Sequence, residues 1–133
     1  MYCLDTDTII AHLKGHSKVN EKIKEAKSLK RDISLTYITL YELFKGIYTS
    51  PKLKEDFGYL DTLLKSVSLI NLSINSSDIA GRIYANLKRG GELINDADIL
   101  IASLAIANNK ILVTGNVKHF ERIKDLKLEN WLY

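Results

Sequence analysis

Residues 96–114 read DADILIASLAIANNKILVT, and two regular elements can be read directly from them. Ile99, Leu100, Ile101, Ala102, Leu104, Ala105, Ile106 and Ala107 run nearly all the way round a helical wheel. The spacing predicts a helix over Asp96–Asn109 that is buried on most sides. Lys110–Thr114, rich in β-branched and large aliphatic residues, predicts a strand directly after it. Beyond the strand come a Gly115-Asn116 turn, a short helical turn near His119–Ile123, and a last edge strand near Leu128–Trp131.

The same alternation extends towards the N-terminus. Tyr2-Cys3-Leu4 is a short apolar run ending in Asp5, followed by a helix capped by Asp or Thr and stopped at Gly15. Ser17–Leu29 carries Val19, Ile23 and Ala26 at helical spacing among lysines, as an amphipathic helix does. Asp32–Thr36 reads as a second strand. A helix over Tyr37–Tyr48 follows, with Leu40, Leu43, Phe44 and Ile47 on one face. Pro51 suits the first turn of a further helix running to about Ser66. Val67–Leu72 is a strand, and Ser76–Arg89 a helix closed by Gly90-Gly91. Strands alternating with helices imply an α/β domain with a mainly parallel sheet of about five short strands flanked by helices.

The 133 residues suit one domain spanning 1–133, and 46% hydrophobic content is enough to build a core. A single proline and seven glycines leave no linker or low-complexity segment. The longest apolar runs fall short of a membrane span, and the opening MYCLDTD lacks the basic-then-apolar pattern of a signal peptide. Cys3 is the only cysteine, which excludes an internal disulfide and a thiolate metal cluster. These features predict a cytoplasmic protein. The net charge of +3 permits a polyanionic partner without demanding one.

In parallel α/β sheets the working site lies outside the carboxyl ends of the strands, so the acids found there carry the functional argument. Asp5 follows the first strand. Glu42 lies about one and a half turns into the helix after the second strand, where no capping role is open to it. Asp96 and Asp98 begin the long apolar helix, and Asn116 follows the strand ending at Thr114. Carboxylates crowded together raise one another's pKa unless a cation neutralises them, and Mg²⁺ or Mn²⁺ suits oxygen ligands of this kind. Asp7, Asp96 and Asp98 can each alternatively be read as helix caps. Asp96 and Asp98 are two apart and face different ways, so one reads as a cap and the other as reaching the site. Asp98, on the face of Ala102 and Ala105, is the favoured ligand.

LDTDTIIAHLKG (4–15), YITLYELFKG (37–46), INDADILIASLAIANNKILVTGNVKHFERI (94–123) and LKLENW (126–131) together resemble the PIN-domain family, and within it the VapC-type toxins. The resemblance covers nearly the full length. It implies a three-layer α/β fold and a metal-dependent endoribonuclease. It assigns metal binding to Asp5, Asp98 and Glu42, with Asp96 beside the third acid position and able to assist. The fourth position, often Asp in the family, is Asn116 here. One negative charge is lost, pointing to a site that holds one ion firmly and a second weakly or only with substrate. Thr114 resembles a hydroxyl position near the site, or is simply a strand residue. The resemblance further implies an RNA substrate, a homodimer and a small cognate antitoxin that inserts into the active-site groove.

Other side chains are read with less direction. Lys14, Lys45, Lys88, Arg89, Lys118 and Arg122 either contact phosphates or lie solvated on helix faces. Tyr37, Tyr41 and Tyr48 either stack on bases or pack into core and groove. His12, His16 and His119 lack ligand spacing and read as surface or packing residues. Two rivals stand beside the nuclease. Asp5-Thr6-Asp7-Thr8 imitates the DxD opening of haloacid-dehalogenase-like phosphatases, with Thr36 as their hydroxyl. A degenerate module that only binds RNA or protein is the other, although three clustered carboxylates would repel phosphate without a metal.

Overall fold

The computed structural model describes residues Met1–Tyr133. Five strands form one sheet: β1 (Tyr2–Leu4), β2 (Ile33–Thr36), β3 (Ser68–Ile70), β4 (Ile111–Val113) and β5 (Lys127–Glu129). Their order is β3-β2-β1-β4-β5, and every pairing is parallel. Seven helices connect them: α1 (Thr6–Leu13), α2 (Ser17–Ser28), α3 (Tyr37–Tyr48), α4 (Leu53–Leu64), α5 (Ile74–Arg89), α6 (Asp96–Ala107) and α7 (Val117–Phe120). The expected α/β class, parallel sheet and three-layer arrangement are all present.

Alternation along the strands produces the layers, because successive side chains leave opposite faces. Tyr2 and Leu4, Ile33 and Leu35, and Val113 enter one core with Ile9, Val19, Ile23, Leu43, Ile47, Leu60 and Trp131. Cys3 and Leu112 enter the other, with Ile83, Leu87, Ile101, Leu104 and Phe120 from α5, α6 and α7. Cys3 is fully buried and serves as a small apolar residue, its thiol pushed up to about 12 by burial. As expected, α2 buries Val19, Ile23 and Ala26 and leaves its lysines in solvent.

Several boundaries differ from the sequence reading, each for a local reason. Pro51 lies in a turn before α4, which begins at Leu53 with Lys52 at the cap. Helix α5 starts at Ile74, two residues early, because Ser73 and Ser76 form a reciprocal capping box. The last helical turn is Val117–Phe120, starting directly after Asn116. No helix is long and apolar enough to cross a membrane.

The sheet order has one consequence for function. The chain fills the sheet on one side of β1 with β2 and β3, then crosses to the other side with β4 and β5. The order therefore reverses at β1, and in open α/β sheets ligands bind in the crevice outside the carboxyl ends of the strands at such a point. Asp5 is the first residue beyond β1.

Candidate functional site

Asp5 is almost completely buried, which is unusual for a carboxylate. It caps α1 through Thr6 N–H, which donates to Oδ1 at 2.9 Å. The Thr114 hydroxyl donates to its Oδ2 at 2.8 Å. Thr114 in turn accepts from the Asn116 backbone N–H at 3.0 Å, tying the end of β4 to the end of β1. Thr114 is thus a hydrogen-bonding partner of Asp5 in addition to being buried next to β4.

Glu42 arrives from the other side of β1. It is half-buried on α3, and its Oε1 accepts a hydrogen bond from Thr6 Oγ1 at 2.7 Å. Asp98 arrives on the first turn of α6. Neither Asp96 nor Asp98 caps that helix. The cap is Asn95, whose side-chain oxygen accepts from Asp98 N–H at 2.8 Å. The Asn95 amide also donates to Asp98 Oδ2 at 3.1 Å. Asp98 is freed to face the crevice because its neighbour does the capping. Asp96 stands exposed and makes no hydrogen bond or ion pair.

Electrostatics show that these acids share one field. Asp5 is raised to about 7, first by burial, then by the Asp7 carboxylate and, less strongly, by Asp98; the hydrogen bonds from Thr114 and Thr6 oppose the rise. Asp98 is also raised, first by burial and further by Glu42 and Asp7, while His119 acts in the other direction. Four carboxylates from three chain segments therefore sense one another, the mutual repulsion expected of a cation site.

Asp7 and His119 lie beside these acids although the sequence pattern does not single them out. Asp5, and not Asp7, caps α1, and Asp7 turns to β4 instead. Its Oδ2 accepts from Gly115 N–H at 2.9 Å and its Oδ1 from the Thr8 hydroxyl at 3.1 Å. A Cβ at Gly115 would lie 2.9 Å from Asp7 Oδ2 and 2.3 Å from the end of the Leu132 side chain, so a larger residue there would displace both. His119 was read as a surface or packing residue. Its Nδ1 lies 3.1 Å from Asp98 Oδ2 and 2.9 Å from Asn116 Nδ2. The spacing Asn116-x-x-His119 on a short helical turn was the available signal, since i and i+3 share a face. The other two histidines behave as expected: His16 caps α2 and His12 pairs with Asn20.

Thr36 caps α3, accepting from Thr39 N–H at 3.0 Å while donating to Thr39 Oγ1 at 3.2 Å. That hydroxyl is buried and engaged, so the phosphatase rival loses its second motif. Tyr37, Tyr41 and Tyr48 are all exposed, so none is a core residue, although Tyr48 packs edge-on against Phe57. Lys45 sits over the Tyr41 ring at 5.4 Å, one residue away from Glu42 in sequence. Arg122 is paired with Glu92 and Lys88 lies over Tyr84.

Beside the acids runs a groove of about 530 Å³ between α1, α3 and α4. Glu42 and Lys14 line it together with Ile10, Leu13, Ile47 and Leu60. No three carboxylate or imidazole groups converge tightly enough to hold an ion between them as they stand. Mg²⁺ is usually bound by one or two carboxylates and otherwise by water. An all-oxygen set in which Asp98 and Glu42 each keep one oxygen without a protein partner fits that mode.

A family model described as PIN domain matches residues 2–126. The chain is 34% identical to a ribonuclease VapC2 of Rickettsia felis over 131 residues, 98% of each chain. It is 30% identical to a ribonuclease VapC1 of Haemophilus influenzae over 132 residues, again 98% of each. Among solved structures it resembles VapBC2 from Rickettsia felis bound to a DNA fragment from their promoter, with TM-score 0.92, 33% identity and 98% of each chain covered.

Proposed function

The chain belongs to the PIN-domain family, and from that premise we propose that it is a Mg²⁺- or Mn²⁺-dependent endoribonuclease, the toxin of a VapBC-type pair, folded as one domain over 1–133. The observation that carries this reading is that Asp5, Glu42 and Asp98, from three separate elements, are coupled at the carboxyl end of the sheet: Thr6 hydrogen-bonds to both Asp5 and Glu42, and Asp98 interacts electrostatically with both acids. The relatives named as ribonucleases support it.

Asp5, Glu42 and Asp98 are the residues that would hold the ion. When bound, the ion supplies a polarised phosphate oxygen and a water acidic enough to attack at neutral pH. The protein's own contribution is threefold. Thr6 and Thr114 orient the Asp5 and Glu42 oxygens through their hydroxyls. A carboxylate of the set can take the proton from the attacking water. Asn116 in place of a fourth acid lowers the negative charge that an approaching phosphodiester must meet. Beside this centre, Tyr41 offers an exposed face for a base and Lys45 a charge for a phosphate.

The groove next to Glu42 suits a small antitoxin, because its apolar floor and charged rim match an amphipathic segment. A homodimer completes the proposed assembly, and a cytoplasmic setting follows from an RNA substrate.

The test is cleavage of RNA by the purified protein with Mg²⁺ or Mn²⁺, with EDTA, and in the variants Asp5→Asn and Asp98→Asn. Cleavage is expected only for the wild type with metal, and to stop on adding a cognate antitoxin. Cleavage that survives both chelation and the two substitutions would overturn the mechanism.

A further inference from the structure

Asp98 is held by one oxygen and open at the other. Its Oδ2 takes the Asn95 amide at 3.1 Å and faces His119 Nδ1 at 3.1 Å, whereas Oδ1 has no protein partner. His119 is well placed to act on it. Phe120, fully buried in the core shared with α6, anchors α7 and fixes the neighbouring imidazole beside the start of α6. Asn116, which occupies the place of the family's fourth acid, spends its side chain on the same Nδ1 at 2.9 Å.

We propose that His119 is a positioning residue: through Nδ1 it clamps Asp98 Oδ2 and so aims Oδ1 into the crevice. This rests on the nuclease reading above, since it gives Asp98 an ion to face. A ring nitrogen carries at most one hydrogen, and a bond to a carboxylate is roughly twice as strong as one between neutral groups. The Nδ1–H is therefore directed to Asp98, and the Asn116 amide meets the imidazole with its oxygen after turning about one side-chain bond. Asn95 and His119 approach Asp98 from two different segments, so the carboxylate cannot rotate without losing one of them. Outer partners of this type tune metal ligands rather than touching the ion themselves.

The atom that matters is Nδ1, and this makes the idea specific. Asparagine places its amide nitrogen as many bonds from Cβ as Nδ1, while glutamine reaches to the position of Nε2. Mn²⁺ affinity by calorimetry, thermal melting, and RNA cleavage resolved into kcat and KM would be measured for wild type, His119→Ala, His119→Asn and His119→Gln. The alanine and glutamine variants should bind Mn²⁺ about 10-fold or more weakly and lose kcat with little change in KM, whereas asparagine should recover to within about 3-fold. Equal rescue by glutamine, or Mn²⁺ affinity unchanged in the alanine variant, would overturn the assignment. A wild type that cuts RNA and binds Mn²⁺ with an indifferent His119→Ala sinks this inference alone; a wild type that binds no Mn²⁺ sinks the parent reading and this inference with it.

Discussion

Asp5 performs two tasks with conflicting demands. As the α1 cap it needs only an acceptor oxygen, which asparagine supplies as well. As a buried charge beside Asp7 and Asp98 it costs stability whenever it is ionised without a cation. Its folded pKa of about 7 lies above the ordinary carboxylate value, so folding takes up a proton. The stabilisation that proton gives is complete below about pH 4 and is lost as pH rises through 7. We therefore expect Asp5→Asn to melt higher than wild type at pH 8 without metal, by an amount on the order of 3 kcal/mol, and to be inactive on RNA. The gain should vanish at pH 4, and thermal melts at the two pH values check this. A gain unchanged between pH 4 and pH 8 would mean that the charge of Asp5 is not its cause. Asp5, Glu42 and Asp98 stand out as candidates in the sequence because each follows, or lies on or just beyond a helix that follows, a strand end. His119 does not, because its value depends on Asp98, 21 positions away.

At the level of elements, α6 illustrates how one misread cap changes the chemistry. Asp96 and Asp98 both look like caps, and the adjacent Asn95 does the work. Its oxygen caps the start of the helix, and its amide holds Asp98. The two functions can be separated. Asn95→Ala should cost about 1 kcal/mol, read as a lower melting temperature, and reduce cleavage about 10-fold. Asn95→Ser should restore the cap and the melting temperature but not the cleavage rate, since serine lacks the amide that reaches Asp98. Full recovery of cleavage in the serine variant would show that the amide contact contributes nothing. The β4–α7 connection shows the same economy. Gly115 lets the backbone approach Asp7, and Asn116 starts α7. Helices α2 and α3 were readable from apolar periodicity with polar ends, and α6 from an apolar run that covers nearly every side. The start of α5 was not, because the Ser73–Ser76 box sits outside the apolar pattern.

Across the whole molecule the two ends of the sheet carry opposite electrostatic designs. The carboxyl end crowds acids, and Asp5 and Asp98 are pushed up there. At the amino end Asp32 accepts from Lys110 Nζ at 2.5 Å and from the Ser34 and Ser68 hydroxyls at 3.0 and 3.2 Å, joining β2 to segments beside β3 and β4. The Lys110 hydrogen bond is the main reason that Asp32 is lowered to about 2. A lowered carboxylate stabilises above about pH 4, and that contribution disappears as pH falls through 2. Asp32→Asn should thus destabilise at neutral pH by about 1 kcal/mol, since the pair is half-exposed, and leave cleavage unchanged; denaturant melts with a parallel RNA assay measure both. Altered cleavage in this variant would show that the two ends are coupled. The sequence by itself determined the class of fold and nominated the acids of the proposed site, because hydrophobic periodicity and residue type are local and survive in one dimension. Only the tertiary structure decided that Asn95 does the capping, that Asp98 rather than the exposed Asp96 lies against His119, and that Asp7 reaches the end of β4. The last two depend on contacts between segments from 21 to about a hundred residues apart, which no local pattern records, and the first on which of several adjacent polar residues takes the cap once α6 is packed.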